Sequence, residues 1–248
     1  MEAQHPHAQD KASNLGSWLM LHLLALLLLA TFFLGYWDGV DRDLFEVFNH
    51  WLLLSGAWAE FVAIANQRWV DFVAGLIMLA TVAHCTWRSR PGQRLRVLAA
   101  AILMGATFST AVAAGDLMPK RLSPSLSHEH AVRVTEQFPE IRTKDASKAS
   151  LPSDHAIGFF TFLLFAFYRF ASRALWLVTP LILLLALPRL LVGAHWLTDY
   201  LCGALPLILI AAAWLFHSRA GNRLEQLTEQ LLNWAFHGLG LLPKKRLA

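Results

Sequence analysis

Long apolar runs, broken by short polar stretches, organise this chain. Residues 15–37, 69–87, 97–115, 156–168, 174–192 and 200–216 are dominated by Leu, Ala, Val, Phe and Trp, with at most one formal charge in each. A helix needs about 20 mostly apolar residues to cross hydrocarbon. The third run extends to residue 118, and the fourth reaches the required length with its flanks, 152–171. The pattern predicts an all-α membrane protein with six transmembrane helices. The first run is longer than a signal-peptide core, and no small-residue cleavage site follows it, so it is expected to be retained.

Two further segments have a different period. Residues 51–65 are apolar but short and carry Glu60. In the preceding segment, Leu44, Phe45, Val47, Phe48, Trp51 and Leu52 fall largely on one helical face. The expectation is an interfacial helix leading into an interfacial or re-entrant piece. After His217, Leu224, Leu227, Leu231 and Trp234 recur at helical spacing between charged residues. This predicts an amphipathic helix resting on the membrane surface.

Composition agrees with lipid as the main solvent. Hydrophobic residues make up 56% of the chain and charged residues 15%, against about a quarter charged in soluble domains. Disorder is excluded by the same apolar mass. Cys85 and Cys202 both lie in apolar runs, which argues against a disulfide framework. The net charge of +4 fits basic cytoplasmic loops better than nucleic-acid binding.

Charge also orients the spans. Arg88, Arg90, Arg94 and Arg96, then Arg169 and Arg173, then Arg219, Arg223, Lys244, Lys245 and Arg246 share one side if there are six spans. Cytoplasmic loops carry the excess of Lys and Arg. Both termini are then cytoplasmic: a tail at 1–14, a membrane domain at 15–217 and an amphipathic tail at 218–248. A seventh span at 51–65 would put the four-arginine loop outside.

The polar segment 119–151 then faces the periplasm. It holds Lys120, Arg121, Arg133, Arg142, Lys144 and Lys148 against Glu129, Glu136, Glu140 and Asp145. Positive charge on this side suits phosphate binding, but a solvated loop whose charges mostly cancel is the better reading for Arg133, Arg142 and Lys148.

Three clusters stand at the outer ends of spans, where a buried charge is costly unless it is used or paired. Lys120 and Arg121 follow span three. They can hold a phosphate, Arg by a fork and Lys as a point charge, or bind lipid headgroups. Ser153, Asp154 and His155 open span four, where free backbone N–H groups suit an anion. Ser153 or Asp154 can equally be a plain helix cap, and His155 an ordinary interfacial histidine. Arg189, His195 and Asp199 close the set. A spacing of four puts His195 and Asp199 on one helical face. The carboxylate can fix the imidazole tautomer and leave the other nitrogen as a nucleophile. His155, His195 and Asp199, with His128 and His130 nearby in sequence, also resemble a metal set. The strong cations Lys120, Arg121 and Arg189 favour phosphate over a divalent ion.

Lys120-Arg121 near Pro124, Pro152-Ser153-x-His155 and Arg189-x5-His195-x3-Asp199 together resemble the type 2 phosphatidic acid phosphatase (PAP2) superfamily. The chain departs from the family pattern at Ala114, where a Lys is usual, at Pro188 in place of Ser, and at Asp154 in place of Gly. Asp41-Arg42-Asp43-Leu44-Phe45, Lys120-Arg121-x-Ser123-Pro124, Thr143-Lys144-Asp145-Ala146-Ser147 and Gly193-Ala194-His195-Trp196 are similar to the branch of that superfamily that phosphorylates lipid A.

The resemblance implies a PAP2-like six-helix bundle acting without metal or other cofactor at the periplasmic face of the inner membrane. His195 is then the nucleophile, Asp199 its orienting partner and His155 the acid. Lys120, Arg121, Ser153 and Arg189 bind phosphate, and Arg142, Lys144 and Lys148 are candidates for holding the acceptor. Undecaprenyl diphosphate is implied as donor and the lipid A 1-phosphate as acceptor. Two alternatives remain: a phosphatase acting on undecaprenyl diphosphate or another lipid phosphate, and a lipid carrier. Carriers tend to place site residues near the bilayer midplane, whereas these lie at span ends.

Overall fold

The computed structural model describes residues 14–170 and 175–239. The sequence-predicted tail before residue 14, Arg173, and Lys244, Lys245 and Arg246 lie outside them. The described residues form helices throughout, with no strand beyond one isolated bridge between Gln67 and Thr143.

The elements in chain order are α1 (Leu15–Phe33), α2 (Asp38–Trp51), α3 (Gly56–Ala65), α4 (Arg68–Arg88), α5 (Pro91–Gly115), the single turns α6 (Pro124–Ser127) and α7 (Val134–Gln137), α8 (Asp154–Phe165), α9 (Leu175–Leu191), α10 (Leu205–His217) and α11 (Arg219–Gly238). Wider π turns extend α8 over Ala166–Phe170 and lead into α10 over Asp199–Ala204. Four of these helical stretches are long and apolar enough to cross a membrane: Leu15–Phe33, Arg68–Arg88, Gly92–Gly115 and Asp199–His217. Helices α8 and α9 are shorter.

The long helices connect two chemically distinct ends. At one end, Trp18 of α1 meets Trp214 of α10 at 5.5 Å between ring centroids. Arg169 after α8 pairs with Glu225 of α11, and Arg96 of α5 pairs with Glu229. The opposite end gathers Phe32 of α1, Asp71 of α4, Arg121 after α5, Ser153 before α8, Arg189 of α9 and Asp199 before α10. Helices α1, α5, α8 and α10 therefore each reach both ends, and α4 and α9 reach the site end. Outward faces are apolar, with Leu19, Leu23, Leu26 and Leu27 exposed on α1 and Phe72 and Leu79 on α4. Contiguous exposed apolar surface of this kind is what a lipid-facing helix presents.

The inner seam is built on α8. Ala156, Ile157, Phe159, Phe162 and Phe165 are buried against Ala100, Leu103 and Ala111 of α5, Ile182 and Ala186 of α9, and Ile208 of α10. Close approach at the site end depends on glycine. A methyl group on Gly115 would lie 2.6 Å from Pro152, and one on Gly203 would lie 2.7 Å from Leu151.

Helices α2 and α3 meet at 118°. This hairpin starts at the site, where Asp41 binds Arg121, and returns to it, where Asn66 binds Thr143 and the Lys144 carbonyl. The chain thus bends sharply between the two segments read from the sequence as an interfacial helix and an interfacial or re-entrant piece. The cause of the bend is Ser55, whose side chain caps α3 by accepting from the Trp58 N–H. Helix α11 keeps Leu227, Leu231 and Trp234 exposed, the face that the sequence pattern assigned to a membrane surface.

The segment 119–151 is folded rather than merely solvated. Asp145, 1% exposed, accepts from Arg133 at 2.9 Å, from the Thr135 N–H at 3.0 Å and from the Thr135 hydroxyl at 2.7 Å. The Asp145 hydrogen bond pushes the Arg133 guanidinium above the ordinary arginine pKa. Arg133, expected to be solvated, is a structural partner here. Asn49 of α2 pins the segment by donating to the Val132 carbonyl and accepting from its N–H, at 2.9 and 2.7 Å.

The turn from α9 towards His195 uses Gly193 at φ +72°, a conformation L side chains rarely adopt. A Cβ there would sit 2.6 Å from the Phe45 ring, while the Gly193 carbonyl accepts from the Ser125 N–H at 3.1 Å. Strained backbone costs about 1–3 kcal/mol per residue. Gly193→Ala should therefore lower the melting temperature of the detergent-purified protein. A wild-type melting curve would contradict this account of the turn.

Candidate functional site

His195 sits in the irregular turn between α9 and α10, ahead of the helix rather than within it. Its Nδ1 faces two acceptors, the Ser150 carbonyl oxygen at 2.9 Å and Asp199 Oδ2 at 3.3 Å. A carbonyl and a carboxylate can only accept, so Nδ1 carries the proton and Nε2 keeps its lone pair. The pairing with Asp199 expected from the spacing of four is present, but by a different route. Asp199 folds back to cap the chain, with Oδ2 accepting from the Trp196 N–H at 2.9 Å. The carboxylate is fully buried, and its Oδ1 lies 3.6 Å from Arg121 Nη1.

Ser150 reaches His195 because the folded 119–151 segment delivers it. The Ser150 N–H donates to the Arg121 carbonyl at 2.8 Å. The neighbouring Ser147 N–H donates to the Ser123 hydroxyl at 2.9 Å, and the Ser125 hydroxyl to the Asp145 carbonyl at 2.5 Å.

His155 faces His195 with 6.3 Å between ring centroids. It stands in the first turn of α8, whose cap is Ser153: the Ser153 hydroxyl accepts from the Ala156 N–H at 3.4 Å. Ser153 itself is buried, and its N–H donates to the Asp199 carbonyl at 3.3 Å. Asp154 is exposed and leaves the capping to Ser153. Arg189, buried in the last turn of α9, donates from Nη2 to Asp71 Oδ2 at 2.5 Å, and His155 Nε2 lies 3.2 Å from the same oxygen.

Arg121 belongs to the same cluster, but its fork is engaged by protein. Nη2 donates to Asp41 Oδ2 at 2.7 Å and Nη1 to the Thr198 hydroxyl at 2.6 Å. The guanidinium also stacks 4.6 Å from the Trp196 ring, a favourable cation–π arrangement. Buried Asp41 completes the network by accepting from the Thr198 N–H at 3.1 Å and from its hydroxyl at 2.5 Å.

Of the sequence-predicted residues, the structure brings together Arg121, Ser153, His155, Arg189, His195 and Asp199. Lys120 is exposed and pairs with Asp116 at 3.5 Å. Arg142, Lys144 and Lys148 are exposed on the outer segment. His128 packs on the rings of Phe45 and Trp196, and His130 is exposed. Among the described residues no three His, Cys, Asp or Glu side chains converge as a metal-binding set.

The sequence reading missed three contributors. Asp71 was visible as a lone carboxylate at the edge of an apolar run, a position that is functional by default. Asp41 stood in a quoted motif without an assigned contact. Ser150 contributes a backbone carbonyl, for which a sequence carries no signal.

A half-buried histidine with a fixed tautomer, a second histidine facing it and two arginines held by carboxylates gather at one end of a helical bundle, an arrangement able to carry phosphoryl transfer. The chain belongs to the PAP2 superfamily: residues 94–223 match the model of that family. It is also similar to lipid A 1-diphosphate synthase of Escherichia coli (strain K12), with 30% identity over 217 residues covering 85% of this chain and 91% of that protein. No solved structure matches.

The Asp41–Arg121 pair ties the α2–α3 hairpin to the site. Removing one member of a buried ion pair costs about 3–5 kcal/mol. Asp41→Ala should destabilise the protein by that amount, read from the shift in thermal unfolding. A shift no larger than that of an exposed control such as Asp43→Ala would contradict the role given to this pair.

Proposed function

We propose that the chain transfers a phosphate from undecaprenyl diphosphate to the 1-phosphate of lipid A at the periplasmic face of the inner membrane. The observation that carries this reading is His195, held through Nδ1 by Ser150 and Asp199 with Nε2 left nucleophilic beside His155. The substrates come from similarity to the lipid A 1-diphosphate synthase. The side of the membrane is supported by charge. The end opposite the site carries Arg96 and Arg169 and the amphipathic α11, as expected of the cytoplasmic side.

In the first step His195 Nε2 attacks the terminal phosphorus. The bond from that phosphorus to the bridging oxygen breaks, His155 donates a proton to the departing oxygen, and undecaprenyl phosphate leaves. In the second step an oxygen of the lipid A 1-phosphate attacks the phosphohistidine. The P–N bond breaks, any proton on the acceptor passes to His155, and lipid A 1-diphosphate forms. Asp199 offsets the charge that develops on His195. Arg189, the α8 N-terminus capped by Ser153, and Lys120 at the rim stabilise the transferring oxygens. Arg121 contributes its charge from behind Asp199. Arg142, Lys144 and Lys148 hold the acceptor phosphate.

Water as acceptor gives the second reading, a lipid phosphate phosphatase. What favours it is that His155 remains 31% exposed, so water can reach the gap. Purified protein given labelled undecaprenyl diphosphate with and without lipid A separates the two. The transferase reading expects label on lipid A and little free phosphate. Equal phosphate release in both cases would contradict it. In the same assay His195→Ala should abolish turnover, and His155→Ala should reduce it about 10²–10⁴-fold, the usual contribution of a positioned acid or base.

A further inference from the structure

Asp71 lies on α4, outside the residues that match the family model. One oxygen of its carboxylate, Oδ2, accepts from Arg189 Nη2 and from His155 Nε2, at 2.5 and 3.2 Å. The two partners come from α9 and α8, so this single atom joins three helices at the site. We propose that Asp71 is a positioning residue for phosphoryl transfer, orienting the His155 imidazole through Nε2 and fixing Arg189 beside it. The inference rests on the transfer mechanism above.

The argument is electrostatic. Arg189 is always charged and is buried. A like charge nearby disfavours a protonated imidazole, and an opposite charge favours it. Asp71 stands against both groups and supplies the opposite charge between them. The other ionisable groups facing His155 do not substitute for it. His195, across the gap, must stay neutral on Nε2 to attack. Asp199 is committed to His195 and the Trp196 N–H. Tyr200 lies beyond His195, at 6.0 Å from its ring, and Asp154 is exposed on the outer side of α8.

Nothing in this triad serves packing alone. Asp71 and the His155 side chain are each 31% exposed, while His155 Nδ1 is buried without a hydrogen-bond partner among the described residues, so Nε2, the nitrogen on Asp71, is the one that solvent and a phosphate can approach.

The test is the pH dependence of kcat for Asp71→Asn with labelled undecaprenyl diphosphate and lipid A. An opposite charge within about 4–6 Å shifts a pKa by about 1–3 units. With that carboxylate gone, the alkaline limb, where the acid is lost, should move about one to two units towards acid. At neutral pH kcat should fall about 10–100-fold while KM does not rise. Asp71→Glu should restore the alkaline limb, with kcat lowered by the displaced carboxylate. An unshifted limb in Asp71→Asn, or a raised KM with kcat intact, would overturn the proposal. If the Asn variant does not purify as folded protein, the Glu variant decides alone: a retained limb with lowered kcat supports positioning, and a wild-type kcat overturns it. His195→Ala in the same assay keeps the two readings apart. Turnover surviving without His195 defeats the transfer mechanism itself, whereas a dead His195→Ala with an unshifted Asp71→Asn profile defeats only the role of Asp71.

Discussion

The site depends on a proton held at one nitrogen. His195 Nδ1 is caught between the Ser150 carbonyl and the Asp199 carboxylate, and this alone decides that Nε2 is free for chemistry. Each acceptor is secured by a separate part of the fold. Asp199 is locked by the turn that enters α10, through the Trp196 N–H. Ser150 is locked by the outer segment, through Arg121, Ser123 and Asp145. The buried polar network over 119–151 therefore holds the His195 tautomer as well as a loop. Buried carboxylates such as Asp145 and Asp199 are expensive in isolation; here nearly every lone pair has a donor or a nearby cation.

The bundle gives this end of the molecule its electrostatic character. Its helices run between a basic end braced by α11 and an end where carboxylates and arginines interlock. Asp41 and Asp71 enter from α2 and α4, and Arg121, Arg189, His155, His195 and Asp199 from the later part of the chain. The early helices thus supply the counter-charges for a site whose reactive groups lie later in the sequence. Without Asp41 and Asp71 the site would hold two arginines and two histidines in a poorly solvated place, an arrangement that like-charge repulsion opposes.

Much of this was legible in the sequence, for identifiable reasons. The apolar runs marked the long helices because lipid imposes a length and a composition. The amphipathic faces of α2 and α11 followed from periodicity. His195, Asp199, Arg189 and His155 stood out because ionisable groups at the ends of apolar runs need a reason to be there. What was not legible depended on distance in space. The fold of 119–151 rests on contacts such as Asn49 with Val132 and Asn66 with Thr143, far apart in the chain and without a periodic pattern. Arg121 read as a phosphate ligand because adjacent cations carry no sign of a buried partner, yet its fork is occupied by Asp41 and Thr198. The spacing of His195 and Asp199 suggested a helical face; the pairing is real, but a capping turn makes it.

The most direct measurement is a rapid-quench experiment with phosphate-labelled undecaprenyl diphosphate in the absence of acceptor. The account predicts transient label on the protein, acid-labile and base-stable as a phosphohistidine is, mapping to His195 and discharged when lipid A is added. Turnover that proceeds with no label ever passing through His195 would contradict it.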